Sequence, residues 1–340
     1  MQLKNKISLE QEKQIIKSYR DDGLKSPEIE KRLNIPRNTV LDILKRNNIK
    51  IDSGILSNKK QLELIDKYKT DRLNTKELSE IYNISYRIVC RVLRNNGVTL
   101  VRQRQRKYTL NQNYFRKIDT ENKAYFLGFL FADGCHSEEG STIVISLQMR
   151  DKSILEKFAK ELETDKPIRI RAPRNSSEQW VAIFDFHSKF MADDLLKLGL
   201  VPRKSLIVNF PSLELLPEHL QKHFIRGYFC GNGCIGIYQT KNTIHRAITI
   251  CSSVQFCESL KEIINKNLNL NPSIRLRKSE RLNLNMGTLT LCGKKIFKFL
   301  DWIYEDSHFH IQRKYEKYIT EKAILEEKEA TKLPITPILV

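Results

Sequence analysis

Apolar residues fall at helical spacing in short runs along the first hundred positions. Ile15, Ile16 and Tyr19 form one stripe, which predicts a helix from Leu9 to Arg20. Ser8 stands at the N-cap, Glu10 and Glu12 give the first turn its acids, and Gly23 stops the helix. Ser26-Pro27-Glu28 opens a second helix, to Leu33, with cap and proline in the favoured order. Asn34-Ile35-Pro36 is a tight turn. Arg37 to Asn47 is a third helix, with Val40, Ile43 and Leu44 facing inward. The pattern returns 49 residues later: Tyr19 falls on Tyr68, Glu28 on Glu77, Ile35 on Ile84, Val40 on Val89 and Leu44 on Leu93. The matching helices are Leu62 to Thr70, Thr75 to Ile81 and Ser85 to Asn95. Self-similarity at a fixed period means one structural unit built twice.

Further along, two apolar helices end alike. One is Ala124-Tyr-Phe-Leu-Gly-Phe-Leu-Phe-Ala-Asp133-Gly134-Cys135, the other His223-Phe-Ile-Arg-Gly-Tyr-Phe-Cys-Gly-Asn232-Gly233-Cys234. Gly128 and Ala132, then Gly227 and Gly231, lie four apart and therefore on one helical face. A mid-helix glycine costs about 1 kcal/mol relative to alanine, so finding it in both helices asks for a packing reason. Two backbones crossing closely through these faces would bring Asp133 and Asn232 side by side.

Each of these helices leads into alternating strands and helices. Thr142 to Gln148 has period two, Asp151 to Leu162 is helical, and Ile168–Arg171 with Trp180–Phe186 reads as a hairpin. A helix from Lys189 to Leu198 is closed by Gly199. The second half repeats the order, with strands Ala247–Cys251, Ile274–Arg277 and Thr288–Cys292 and helices Ser253–Asn265 and Lys294–Trp302. Each half closes on a lysine, Lys204 in Val-Pro-Arg-Lys-Ser and Lys314 in Ile-Gln-Arg-Lys-Tyr.

Charge sharpens this picture. The 340 residues hold 59 Lys and Arg against 40 Asp and Glu, a net +19. Residues 1–118 alone carry a net +14, which points to a polyanionic partner, nucleic acid first. Short helix, tight turn and a helix with polar residues at its start is the helix-turn-helix pattern. Arg37, Asn38 and Thr39 in one unit, and Ser85, Tyr86 and Arg87 in the other, sit where base edges would be reached. Arg102, Arg104 and Arg106 lie in a basic connector suited to phosphates. The longest apolar run, Ala124 to Ala132, is far short of a membrane span, and Met1-Gln-Leu-Lys-Asn-Lys lacks the core of a signal peptide. The seven cysteines include no C-x-x-C pair and read as reduced thiols of a cytoplasmic protein. His219 and His223 share a helical face but have no third ligand for zinc.

The paired helix endings and the two closing lysines resemble the LAGLIDADG homing endonucleases in their single-chain form, over residues 119–320. The resemblance implies an α+β fold: a pseudo-twofold saddle of two αββαββα halves, preceded here by two small all-α units. It implies two sheets over the DNA major groove, on which Arg169, Arg171, Arg275 and Arg277 would lie. It also implies a divalent metal, Mg²⁺ or Mn²⁺, at the last acid of each motif and the carbonyl before it. Those positions are Asp133 with Ala132, and Asn232 with Gly231. Gln148 matches a water-positioning residue, with Ser252 its weaker counterpart, and Lys204 and Lys314 match basic residues beside the metal-bound water. Asn232 departs from the family, which has an acid there.

The domain reading is two helix-turn-helix units at 1–52 and 53–100, a basic linker at 101–118, halves at 119–212 and 213–325, and a tail at 326–340. The functional expectation is a monomeric, site-specific endonuclease of double-stranded DNA, slow or strand-biased because of Asn232. The alternatives are a DNA-binding regulator without cleavage and an intron maturase binding intron RNA.

Overall fold

The structure is a computed structural model. It describes residues 7–49, 56–100, 107–137, 141–241, 243–279 and 282–330, with the backbone alone at 277–279, 282–284 and 330. The chain divides into two compact units, Met1–Gln105 and Arg106–Val340.

In the first unit α1 (Leu9–Arg20), α2 (Ser26–Leu33) and α3 (Arg37–Arg46) enclose Ile15, Ile29, Val40, Ile43 and Leu44, all fully buried. Then α4 (Asn58–Thr70), α5 (Thr75–Ile81) and α6 (Tyr86–Asn95) enclose Leu64, Leu78, Val89 and Leu93. The repeat reaches the backbone. Left-handed residues occur in register at Gly23 and Arg72, Asn34 and Asn83, and Asn48 and Gly97. α4 starts at Asn58, earlier than the Leu62 expected from hydrophobicity. The Ser57 hydroxyl accepts the Lys60 N–H, and this cap sets the start where no apolar residue marks it.

The second unit holds two runs of the same order. The first is α7 (Glu121–Asp133), β1 (Gly134–His136), β2 (Thr142–Gln148), α8 (Lys152–Glu161), β3 (Arg169–Arg171), β4 (Val181–His187) and α9 (Lys189–Lys197). The second is α10 (Gln221–Asn232), β5 (Gly233–Gln239), β6 (Ile244–Ser253), α11 (Val254–Leu268), β7 (Ser273–Ser279), β8 (Leu282–Cys292) and α12 (Lys295–Tyr304). A last helix, α13, spans Gln312–Ala330. Each run makes a four-stranded antiparallel sheet, ordered β1-β2-β4-β3 and β5-β6-β8-β7. Ile143, Ile145, Ala182 and Phe184 turn one face of the first sheet inward, and Ile248, Ile250, Leu289 and Leu291 do so in the second. Among the described residues no helix is long and apolar enough to cross a membrane.

Two expectations are corrected. Residues 109–118 do not behave as a connector: Tyr114, Phe115 and Ile118 are buried in the second unit's core. The Thr109 N–H donates to Asp165 at 2.7 Å and the Asn111 N–H to the Leu162 carbonyl at 2.8 Å. The segment's basic residues hid these three apolar anchors. The tail expected from 326 is helical to Ala330, because Tyr315, Tyr318 and Leu325 anchor α13 and strong helix formers continue it.

Candidate active site at the helix crossing

α7 and α10 cross at their glycines. A Cβ on Gly128 would lie 1.9 Å from the Phe224 carbonyl oxygen, and one on Gly227 would lie 1.9 Å from that of Tyr125. No side chain fits in either gap. Nearer the helix ends, a Cβ on Gly231 would lie 2.4 Å from the Ala132 Cβ and 2.8 Å from Asp133 Oδ2. The small residues thus bring the Asp133 carboxylate against the last turn of α10.

Two buried lysines flank this point. Lys204, in a 3-10 turn after α9, donates its ammonium to the Gly134 carbonyl. Lys314, near the start of α13, donates to the carbonyls of Phe229 at 2.8 Å, Cys230 at 2.6 Å, Gly231 at 3.4 Å and Gly233 at 2.5 Å. The Phe229 carbonyl also accepts the Gly233 N–H that closes α10, and the lysine caps the carbonyls of the last turn beyond it. Contacts with several carbonyls require the ammonium form, since only that form has three protons to donate. Burial lowers the affinity of both lysines for that proton, opposed in part by Asp133. Burial also raises the Asp133 carboxyl above its usual range, against the pull of Lys314 and Lys204. Asp133 accepts no hydrogen bond from any described residue, so its carboxylate stays open to a ligand.

Asn232 is held differently. Its amide donates to the Tyr228 phenol oxygen at 3.0 Å, and that phenol donates to the Ser252 hydroxyl at 2.8 Å. Ser252 is therefore buried at the end of this chain rather than facing water. Gln148 is exposed at the end of β2, with Met149, Arg150, Gln179 and Trp180 around a cavity of about 410 Å³. No hydrogen bond among the described residues joins Gln148 to Asp133.

The expected DNA-facing residues fall on surfaces. Arg37, Asn38, Ser85, Tyr86 and Arg87 are exposed at the starts of α3 and α6, and Thr39 is half-buried. Arg169 and Arg171 lie opposite Ile183 and Val181 on the outward face of the first sheet. There Arg169 forks onto Asp185 at 2.9 and 3.1 Å, and Arg171 pairs with Glu178 at 3.1 Å. Arg275 lies exposed opposite Thr288 on the second sheet. Arg277 is in β7, its side chain outside the described residues, as are Arg102, Arg104 and Arg106 altogether. Sequence reading passed over Arg91 and Arg94, exposed with Arg87 at positions i, i+4 and i+7 of α6. That spacing alone could have found them. It also passed over Tyr228.

A divalent cation fits one side of this site. Among the described residues no three His, Cys, Asp or Glu side chains gather to hold a metal. A cation would rest on the open Asp133 carboxylate and the Ala132 carbonyl of the last turn, completed by water and phosphate oxygens. Mg²⁺ is commonly bound in that way. The Asn232 side fits less well: its amide carries no charge, only its Nδ2 being engaged, by Tyr228, and the Gly231 carbonyl already faces Lys314.

The fold and site define a two-sheet α+β protein with one open acid at the crossing of its central helices. No protein-family model and no curated protein matches the sequence. Solved structures do match. The I-LtrWI LAGLIDADG homing endonuclease bound to target DNA is 15% identical over 64% of this chain and 92% of its own, with a TM-score of 0.42. The LAGLIDADG meganuclease I-AabMI bound to uncleaved DNA is 12% identical over 62% and 92%, with a TM-score of 0.40. I-SmaMI bound to an uncleaved DNA target with calcium ions is 12% identical over 62% and 93%, with a TM-score of 0.39.

Proposed function

We propose that this chain is a site-specific, metal-dependent endonuclease of double-stranded DNA, of LAGLIDADG type. The observation that carries the reading is the open, half-buried carboxylate of Asp133 at the helix crossing, flanked by two buried ammonium groups. One carboxylate against two ammonium groups leaves a positive site, suited to a backbone phosphate. Mg²⁺ bound at Asp133 would neutralise charge on that phosphate and on its leaving oxygen. Lys204 and Lys314 hold the backbone turns that end the motif helices, and their charge favours the developing oxyanion. The outward sheet faces, with Arg169, Arg171 and Arg275, would lie in the major groove. The three-helix repeats would act as helix-turn-helix modules, with Arg37 and Asn38 on α3 and Arg87, Arg91 and Arg94 on α6 reaching the DNA.

A second reading, a DNA-binding regulator without cleavage, is favoured by the uncharged Asn232 opposite Asp133. Cleavage of a duplex selected from a random pool by binding to the full chain separates the two. Mg²⁺-dependent cutting that disappears in Asp133→Asn, with affinity nearly intact, supports the nuclease. Tight binding with no cutting in Mg²⁺ or Mn²⁺ supports the regulator.

A further inference from the structure

We infer that the seam takes a single divalent cation, on Asp133, and that the opposite position, uncharged at Asn232 and with the Lys314 ammonium on its Gly231 carbonyl, holds none, so that one strand of the duplex is cut. The inference rests on the nuclease reading and says what kind of nuclease this is.

Superposing the two motifs on Gly128 and Gly227 pairs Phe129 with Tyr228 and Asp133 with Asn232. The halves therefore differ twice on the same helical face, one turn apart. In the first half, Phe129 offers no polar group to the residue four positions on, and Asp133 stays open. In the second, the added hydroxyl takes the Asn232 amide at 3.0 Å and passes its own proton to Ser252 at 2.8 Å, or to the Cys251 carbonyl at 3.4 Å. The chain ends in β6 and fixes the Asn232 amide by its nitrogen, with the neutral Oδ1 as the only oxygen left where the first half has a carboxylate.

The backbone oxygens show the same asymmetry. Lys314 faces the Gly231 carbonyl, the second-half counterpart of Ala132, along with three others of the same turn. Lys204 donates to Gly134 and not to Ala132. The second half thus lacks the charge, offers a neutral oxygen in its place and has an ammonium on its carbonyl. Each change weakens a hard-cation site, and together they leave Asp133 as the position that holds the cation.

The chemical consequence is one hydrolysis per duplex. A water oxygen bonds to phosphorus, the bond from phosphorus to one sugar oxygen breaks, and a water proton ends on that sugar oxygen. The phosphate across the seam lacks the same assistance. Its cleavage should be slower by about 100-fold or more, the size of loss seen when one charge-stabilising group is removed from a transition state.

The test uses the full chain on a selected duplex, with Mn²⁺ as probe. Mn²⁺ held by the complex beyond that held by the duplex alone is counted by electron paramagnetic resonance. Strand choice is read with separate end labels. One Mn²⁺ in the wild type, none in Asp133→Asn, and one strand cut support the inference. Two Mn²⁺ in the wild type, or both strands cut at comparable rates, overturn it while leaving the nuclease reading in place. One Mn²⁺ with neither strand cut overturns the nuclease reading and the strand claim together. The double variant Tyr228→Phe with Asn232→Asp should gain a second Mn²⁺ and second-strand cleavage. Its melting in EDTA reports its fold separately, and the wild-type count decides the matter without it.

Discussion

Arg313, at the start of α13, forks onto the buried carboxylate of Asp151 at the entrance to α8, with Nη2 3.0 Å from Oδ2. The pair joins the two halves of the second unit, and Arg313 immediately precedes Lys314. Asp151→Asn keeps the shape but removes the charge. The expected loss is about 1.5–3 kcal/mol, the range for a hydrogen bond to a charged group. Urea unfolding of residues 106–340 measures it, and an unchanged midpoint would mean the pair is only a surface contact.

Gly227→Ala should be far more disruptive. Its Cβ would meet a carbonyl oxygen at 1.9 Å, and neither helix backbone can yield without parting from the other. A loss of at least about 3 kcal/mol is expected, beyond ordinary overpacking. Gly97→Ala is the contrast. It also places alanine at an awkward backbone, φ 71°, but meets nothing within 4 Å. Its cost should stay near 1–2 kcal/mol, roughly the left-handed penalty alone. Paired melting curves check both.

Much of this was legible in the sequence, for physical reasons. Period-49 identity marked the three-helix units because their cores are small and each buried position is needed. Gly128 and Gly227 announced the crossing because nothing else explains glycine in the middle of an apolar helix. β1 escaped the pattern because three residues are too few to show a period. Tyr114 and Phe115 escaped it because they lie amid charged and polar neighbours. Tyr228 escaped it because a tyrosine in an apolar helix looks like a large core residue until its hydroxyl is seen to have a partner.

The state of Asp133 gives a pH dependence. Its carboxyl is raised by burial from the ordinary value of 3.8. The folded protein therefore keeps a proton that the unfolded chain has already released. Stability from this group falls as pH rises from 3.8 through the raised folded value, and the ionised form is a cost at neutral pH. Asp133→Asn should melt higher than the wild type at pH 7 in EDTA, with the gap closing in acid below the ordinary value. Added Mg²⁺ should raise melting in the wild type and not in the variant, because only the wild type has a ligand that the cation binds in the folded state.

Removing residues 1–105 should weaken DNA binding and flatten its salt dependence. Every phosphate that is no longer neutralised lowers the slope of log K against log salt by about 0.9. Titrations at several salt concentrations check this. An unchanged slope would leave the three-helix units without a part in binding.

The close crossing also has a history within each molecule. Gly128 and Gly227 are 99 residues apart, so α7 emerges from the ribosome well before the helix that covers it. At about 5–20 residues per second the interval is roughly 5–20 s. Throughout that interval the face destined for α10, from Ala124 to Phe131, has no partner within the chain made so far. The first half is thus translated as an unfinished surface, and its folding is tied to the arrival of the second.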